Sequence, residues 1–171
     1  MKKMMRLGFL AVMACLMLLV AGCPSKPVDP GVGGGESAVD PSLRTLTSAA
    51  EISAAEELTN AKIYFEYDKF DIKPESRRVL ARKAELLKQY PHIKVSIQGH
   101  CDERGTEEYN LALGERRARA AHEFLVYSGV TPTQMEMISY GKLRPAVQGN
   151  NENAWALNRR DEFIVLNPIK R

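Results

Sequence analysis

Hydrophobic positions along this 171-residue chain fall into three regimes. An unbroken apolar run spans Leu7 to Val20, and a stretch from Pro24 to about Ala50 is nearly empty of bulky apolar side chains. From Glu51 onward, apolar and polar residues alternate with the periods of strands and helices, so the folded part begins there. Ile63, Phe65 and Tyr67 interleave with Lys62, Tyr64 and Glu66, which predicts a first strand over 62–67. Pro74 at a helix start and Val79, Leu80, Leu86 and Leu87 on one stripe predict a helix over 74–89, with Lys83 on that stripe expected to snorkel, the alternative being that it faces a cleft. Val95 and Ile97 against Lys94, Ser96 and Gln98 predict a second strand over 93–99 with one wet face. A long helix over 107–127 stops at Gly129. A short turn at 131–133, a third strand over 135–140, a short helix over 151–158 and a last strand over 162–166 follow, and 51–60 has helical composition. Strands covered on one face imply an α/β (α+β) two-layer sandwich: a mixed sheet of about four strands with helices on one side.

The long helix breaks its own pattern. On a wheel of about 100° per residue, Leu111, Leu113, Ala118, Ala121, Phe124 and Leu125 form an apolar arc, and Arg117 falls inside it while Arg116, Arg119, Glu115 and Glu123 lie opposite. A guanidinium cannot shed its proton, so one aimed at a core needs an anion beside it. The candidates are Asp102, Asp68 or an acid on a ligand, and removing the awkward inward charge is expected to leave the fold intact or firmer. Free amides at the helix start, close to Arg117, also favour anions.

Composition narrows the class of partner. The chain carries a formal net charge of +3, and the first 22 residues hold Lys2, Lys3 and Arg6 with no acid, so the remainder is formally neutral. That argues against a nucleic-acid partner, whose affinity needs a basic surface. Residues 1–22 have the basic start, short apolar run and small residues of an export signal. Leu19-Val20-Ala21-Gly22-Cys23 resembles the lipobox of bacterial lipoproteins, which implies cleavage before Cys23 and acyl chains on it, and Pro24 in place of aspartate favours sorting to the outer membrane. Residues 23–50, rich in Pro, Gly and Ser, read as a lipidated flexible tether, leaving 51–171 as one domain.

His100, Cys101 and Asp102 contain the ingredients of a nucleophilic triad or a metal site. Successive residues at a strand end point in alternating directions, and ligand pairs at metal spacing are missing, so neither reading is favoured. His92 and His122 read as surface residues. With Cys15 in the signal and Cys23 lipidated, Cys101 is expected to be a lone, buried and unreactive thiol.

The run GHCDERGTEEYNLALGERRA closely resembles the signature of the OmpA-like family of peptidoglycan-binding domains, over about 63–166. Asn158-Arg159-Arg160 resembles the family's closing NRR element, and Cys101 departs from the small non-thiol residue more usual there. The resemblance implies non-covalent binding of meso-diaminopimelate in the peptidoglycan stem peptide. It assigns Asp102 and Arg117 as ligand-facing, Glu103, Arg104, Gly105 and Thr106 as the loop between them, Asn110 and Leu113 as the rest of that wall, and Tyr67 and Asp68 as the wall opposite. It implies no enzymatic activity, no cofactor apart from the lipid on Cys23, and membership of the Tol system with TolB and TolA as partners in envelope integrity and division. The chemistry suits the residues: diaminopimelate ends in an ammonium and a carboxylate on one carbon, which a carboxylate and a forked guanidinium can take respectively. Two rivals stand beside this: a wall-modifying periplasmic enzyme, and a structural lipoprotein of the same fold without wall affinity.

Overall fold

A computed structural model describes residues 43–170; the signal, Cys23 and most of the expected tether lie outside the described residues. The fold takes in more than 51–171. Leu46 is fully buried, bridges Ile169 and exchanges backbone hydrogen bonds with Pro168 and Lys170, because an apolar side chain beside the last strand finds a slot in the core. Ser48 and Glu51 then close a capping box on α1 (Ala49–Asn60), satisfying amides that a helix start leaves free.

The elements that follow are β1 (Ile63–Tyr64), α2 (Pro74–Gln89), β2 (Val95–His100), α3 (Glu107–Tyr127), a 3-10 turn (Pro132–Gln134), β3 (Met135–Gly141), α4 (Glu152–Asn158) and β4 (Arg160–Val165). The sheet has the order β1-β4-β2-β3, with β2 and β3 parallel and β4 antiparallel to both β1 and β2. This is the expected four-stranded mixed sheet. Ala54 and Leu58 of α1, Leu80 and Leu87 of α2, and Ala118, Ala121 and Leu125 of α3 share one core with Ile63, Val95, Ile97 and Phe163 of the strands.

Three local expectations change. The first strand ends at Tyr64 instead of 67: Phe65 still bonds Arg159, but from Glu66 the carbonyls turn towards Arg117, and Tyr67 is exposed. The last strand starts two residues early, since Arg160 pairs with Tyr64 and Asp161 with Ile63. The polar face of β2 is not wet: Ser96 and His100 are buried, because long side chains of the flanking strands lean over this central strand, Tyr140 stacking on His100 at 5.5 Å and Arg160 bonding Glu162 at 2.7 Å.

Two contacts fix how α3 sits. A Cβ on Gly99 would lie 2.0 Å from the Gly114 carbonyl oxygen, and one on Gly114 would lie 2.3 Å from Ser139 Oγ, so helix and strand meet backbone to backbone. This close approach carries Arg117, one turn further on, beneath the end of β2. Lys83 does not snorkel: it is 1 % exposed, donates to the Leu58 carbonyl in the last turn of α1, and lies 4.2 Å over the Phe163 ring. An orphan carbonyl at a helix end is a ready acceptor for an amine that cannot reach water.

Gly99→Ala is expected to lower stability by about 3 kcal/mol, since the clash is with backbone that cannot move aside, measured by the denaturant midpoint. Burial pushes the Lys83 amine from its ordinary 10.5 down to about 7. The folded state therefore releases this proton earlier than the unfolded chain does, so the parent gains stability as pH rises from about 7 towards 10.5 and gains none from this group below that window. Lys83→Met removes that rise, and urea midpoints of the two proteins across the window test it.

Candidate functional site

At the end of β2 the chain makes a tight loop before α3. Thr106 caps the helix by accepting from the Tyr109 amide at 3.2 Å, Gly105 takes a φ of +86° that favours glycine, and Asn110 donates to the Arg104 and Thr106 carbonyls at 2.7 and 2.9 Å. The sequence fixes this loop locally, and the buried Asn110 amide is its clasp.

Inside it, Asp102 is 4 % exposed and its carboxylate is heavily occupied. Arg104 donates to it from the backbone amide, from Nε at 3.1 Å and from Nη2 at 2.7 Å, and Arg159 reaches it at 3.4 Å. Burial alone would raise the pKa of this acid, but these bonds and charges hold it below its ordinary value. The Arg104 guanidinium is sandwiched between the Tyr67 and Trp155 rings, 4.0 Å from each.

Arg117 is fully buried, as its place on the helix predicts, but the group that meets it is not an acid. Nε donates to the Lys69 carbonyl at 2.9 Å, Nη1 to the His100 carbonyl at 2.9 Å and Nη2 to the Glu66 carbonyl at 3.2 Å, with Cys101 Sγ at 3.5 Å from Nη1. Among the described residues no carboxylate oxygen lies within 4.0 Å of it. Carbonyls at a turn and a strand end carry partial charge without any charge to desolvate, and they converge here because β1 breaks off at Tyr64. Burial lowers the pKa of the guanidinium, which keeps its proton and its charge. Removing Arg117 would strand those three carbonyls, so the expectation of an intact or firmer fold without it is corrected: the arginine is structural as well.

A small cleft, of about 60 Å³, opens beside this charge, lined by Tyr67, Asp68, Asp102, Arg104, Gly105, Asn110, Leu113 and Arg117. Cys101 and Tyr109 also line it; the family resemblance assigns neither of them to the site. Thr106 instead caps the helix, and Glu103 turns outward to accept from Trp155 Nε1 at 3.1 Å. Asp68 holds a left-handed φ of +56° and accepts from the Tyr109 hydroxyl at the mouth. Sequence reasoning also missed Trp155, and Arg159 was seen only as part of a terminal motif. Arg159 ties the site together by donating to Phe65, Asp102 and Glu152 at once. The signal available was two adjacent arginines entering a strand, which an aqueous edge does not require.

Cys101 is 2 % exposed, donates to the Asn110 carbonyl, and has its thiol pushed up to about 11 by burial, as a lone structural thiol should. His100 does not face it: among the described residues neither ring nitrogen has a hydrogen-bond partner, and burial drives the imidazole down to about 4. His92, taken for a surface residue, is only partly exposed and lies 2.9 Å from Glu51.

Comparison with known proteins agrees with this geometry. The OmpA family model matches residues 64–159. The peptidoglycan-associated lipoprotein of Pseudomonas aeruginosa is 44 % identical over 94 % of this chain and 98 % of its own, and that of Pseudomonas putida 45 % identical over the same shares. The crystal structure of the peptidoglycan-associated lipoprotein from Burkholderia pseudomallei superposes with a TM-score of 0.60 at 41 % identity, covering 61 % of this chain and 88 % of that one. The C-terminal domain of Helicobacter pylori MotB, at 21 % identity and a TM-score of 0.58, shares the fold. By sequence and by structure, the chain belongs to the OmpA family and, within it, to the peptidoglycan-associated lipoproteins.

Proposed function

We propose that this protein is an outer-membrane lipoprotein, acylated at Cys23 and facing the periplasm, that grips peptidoglycan non-covalently through the free end of meso-diaminopimelate. The observation that carries this reading is the Arg117 charge, buried, solvated by carbonyls, uncontacted by any carboxylate among the described residues, and open to a cleft. Such a charge favours an incoming carboxylate strongly, because the low-dielectric surroundings magnify the attraction and the cost of burying the cation has been met in the fold. The backbone around Gly105 offers further amides to the same anion.

The ligand's ammonium needs an acceptor a few ångströms away. Asp102 is filled by Arg104 and Arg159, so the ammonium meets Asp68 at the mouth first and gains Asp102 as Arg104 turns outward from between its aromatic neighbours. Carboxylate and ammonium recognised together select the zwitterionic end over an amide or a neutral side chain. Family membership supports the wider role: association with TolB and TolA, and linkage of outer membrane to wall during growth and division.

Binding to purified sacculi tests the reading. Arg117→Lys is expected to reduce co-sedimentation at least about tenfold, because an ammonium cannot fork onto a carboxylate, with the folded fraction checked by thermal melting. Asp102→Ala is expected to weaken it as well, and unchanged sedimentation of both variants would leave a structural lipoprotein of the same fold. Prolonged incubation of sacculi with the parent is expected to release no soluble fragments; release would turn the assignment to a wall-modifying enzyme.

A further inference from the structure

Asp161 is the most anomalous side chain in the sheet. It is fully buried, and among the described residues no hydrogen-bond donor reaches either carboxylate oxygen. Its place is well defined. It pairs across the sheet with Ile63 on one side and Gly99 on the other, and cross-strand partners share a face. Ile63 lies in the core and Gly99 presses against Gly114 of α3, so Asp161 points to the helix side, near the turn of α3 that carries Arg117.

The charged and titratable groups around it are few. Arg117 approaches from α3 and Cys101 from the loop after β2, Arg160 is its neighbour on β4, and Asp102 and Arg159, bonded to each other, lie about Arg117. Arg160 spends its guanidinium on Glu162, at 2.7 Å on the opposite face. Cys101 keeps its thiol proton and Asp102 is held by two arginines. Arg117 is therefore the cation whose charge Asp161 can offset, and neither makes an ion pair with the other within 4.0 Å.

We propose that Asp161 is a positioning residue that sets the charge available in the cleft: protonated, it leaves Arg117 free for an anionic ligand, and ionised, it neutralises Arg117 from behind and weakens binding. Ligand binding is then coupled to uptake of one proton from solvent onto the Asp161 carboxylate, with no bond to the ligand formed or broken. Burial without a partner favours the protonated acid, and the positive charges of Arg117 and Arg160 oppose it. A carboxylate arriving at Arg117 removes that opposition, so ligand and proton bind with mutual reinforcement. The inference rests on the cleft of Arg117 being the wall-binding site.

The test uses the full-length chain in detergent micelles and a soluble muropeptide bearing one free diaminopimelate end, titrated between about pH 6 and about pH 9. Parent affinity is expected to fall about tenfold or more as pH rises through the titration of the Asp161 carboxylate, whereas Asp161→Asn holds the affinity that the parent shows at the acid limit, leaving at most a shallow slope from the ligand itself. Equal slopes in parent and variant would overturn this proposal and leave wall binding standing. Binding by neither protein at any pH would overturn both. Should the variant fail to fold, the Asp161 carboxyl carbon resonance of the labelled parent decides: its titration is expected to move to higher pH when muropeptide saturates the cleft, and an unmoved titration would sink the proposal.

Discussion

The structure depends on keeping a guanidinium permanently charged in a place without water. Arg117 is held by carbonyls of Glu66, Lys69 and His100, so the turn after β1, the end of β2 and the middle of α3 are tied to one side chain. Carbonyl dipoles make the charge tolerable without cancelling it. A carboxylate in the same place would have given a closed ion pair with nothing left for a ligand, and bulk water would have screened the charge to little effect. Solvation by backbone is the intermediate case, in which a cation is stable in the fold and still exerts a field across a cleft.

Geometry elsewhere serves that arrangement. The Gly99 and Gly114 contact lets α3 approach the sheet closely enough for the arginine to reach the strand-end carbonyl. The early end of β1 frees two carbonyls to turn inward. Asn110 clasps the loop, Thr106 starts the helix, and Arg159 joins α4 and β4 to Asp102 and Phe65, so the cleft is braced both from α3 and from the junction of α4 and β4. Binding sites held from several elements lose little freedom when a ligand arrives, which favours affinity.

Much of the site was visible before any coordinates. The periodicity of α3 put Arg117 in the apolar arc, and the charged loop with its glycine marked the anion-favouring end of the helix. Local sequence offers Arg117 an acid of this chain, Asp102 or Asp68, or an acid on a ligand; within the fold backbone carbonyls stand where the chain's own carboxylates are expected. Carbonyl orientation depends on where a strand stops pairing, and β1 stops after two residues for a reason that sits about a hundred positions away, in Arg159 and Arg160. Lys83 was misjudged in the same way, because its acceptor is at the end of a different helix.

The sequence by itself determined the kinds of element, their order, the helix boundaries to within a residue or two, and the inward arginine, because these follow from side-chain period and from capping within a few neighbours. Only the tertiary structure decided which groups solvate Arg117, that Arg104 and Arg159 fill Asp102, that Tyr109 lines the cleft and Trp155 stacks on Arg104, and that no donor among the described residues reaches Asp161. Each of those is a meeting of residues far apart in the chain, fixed by register and by backbone contact between helix and strand, which no local pattern encodes.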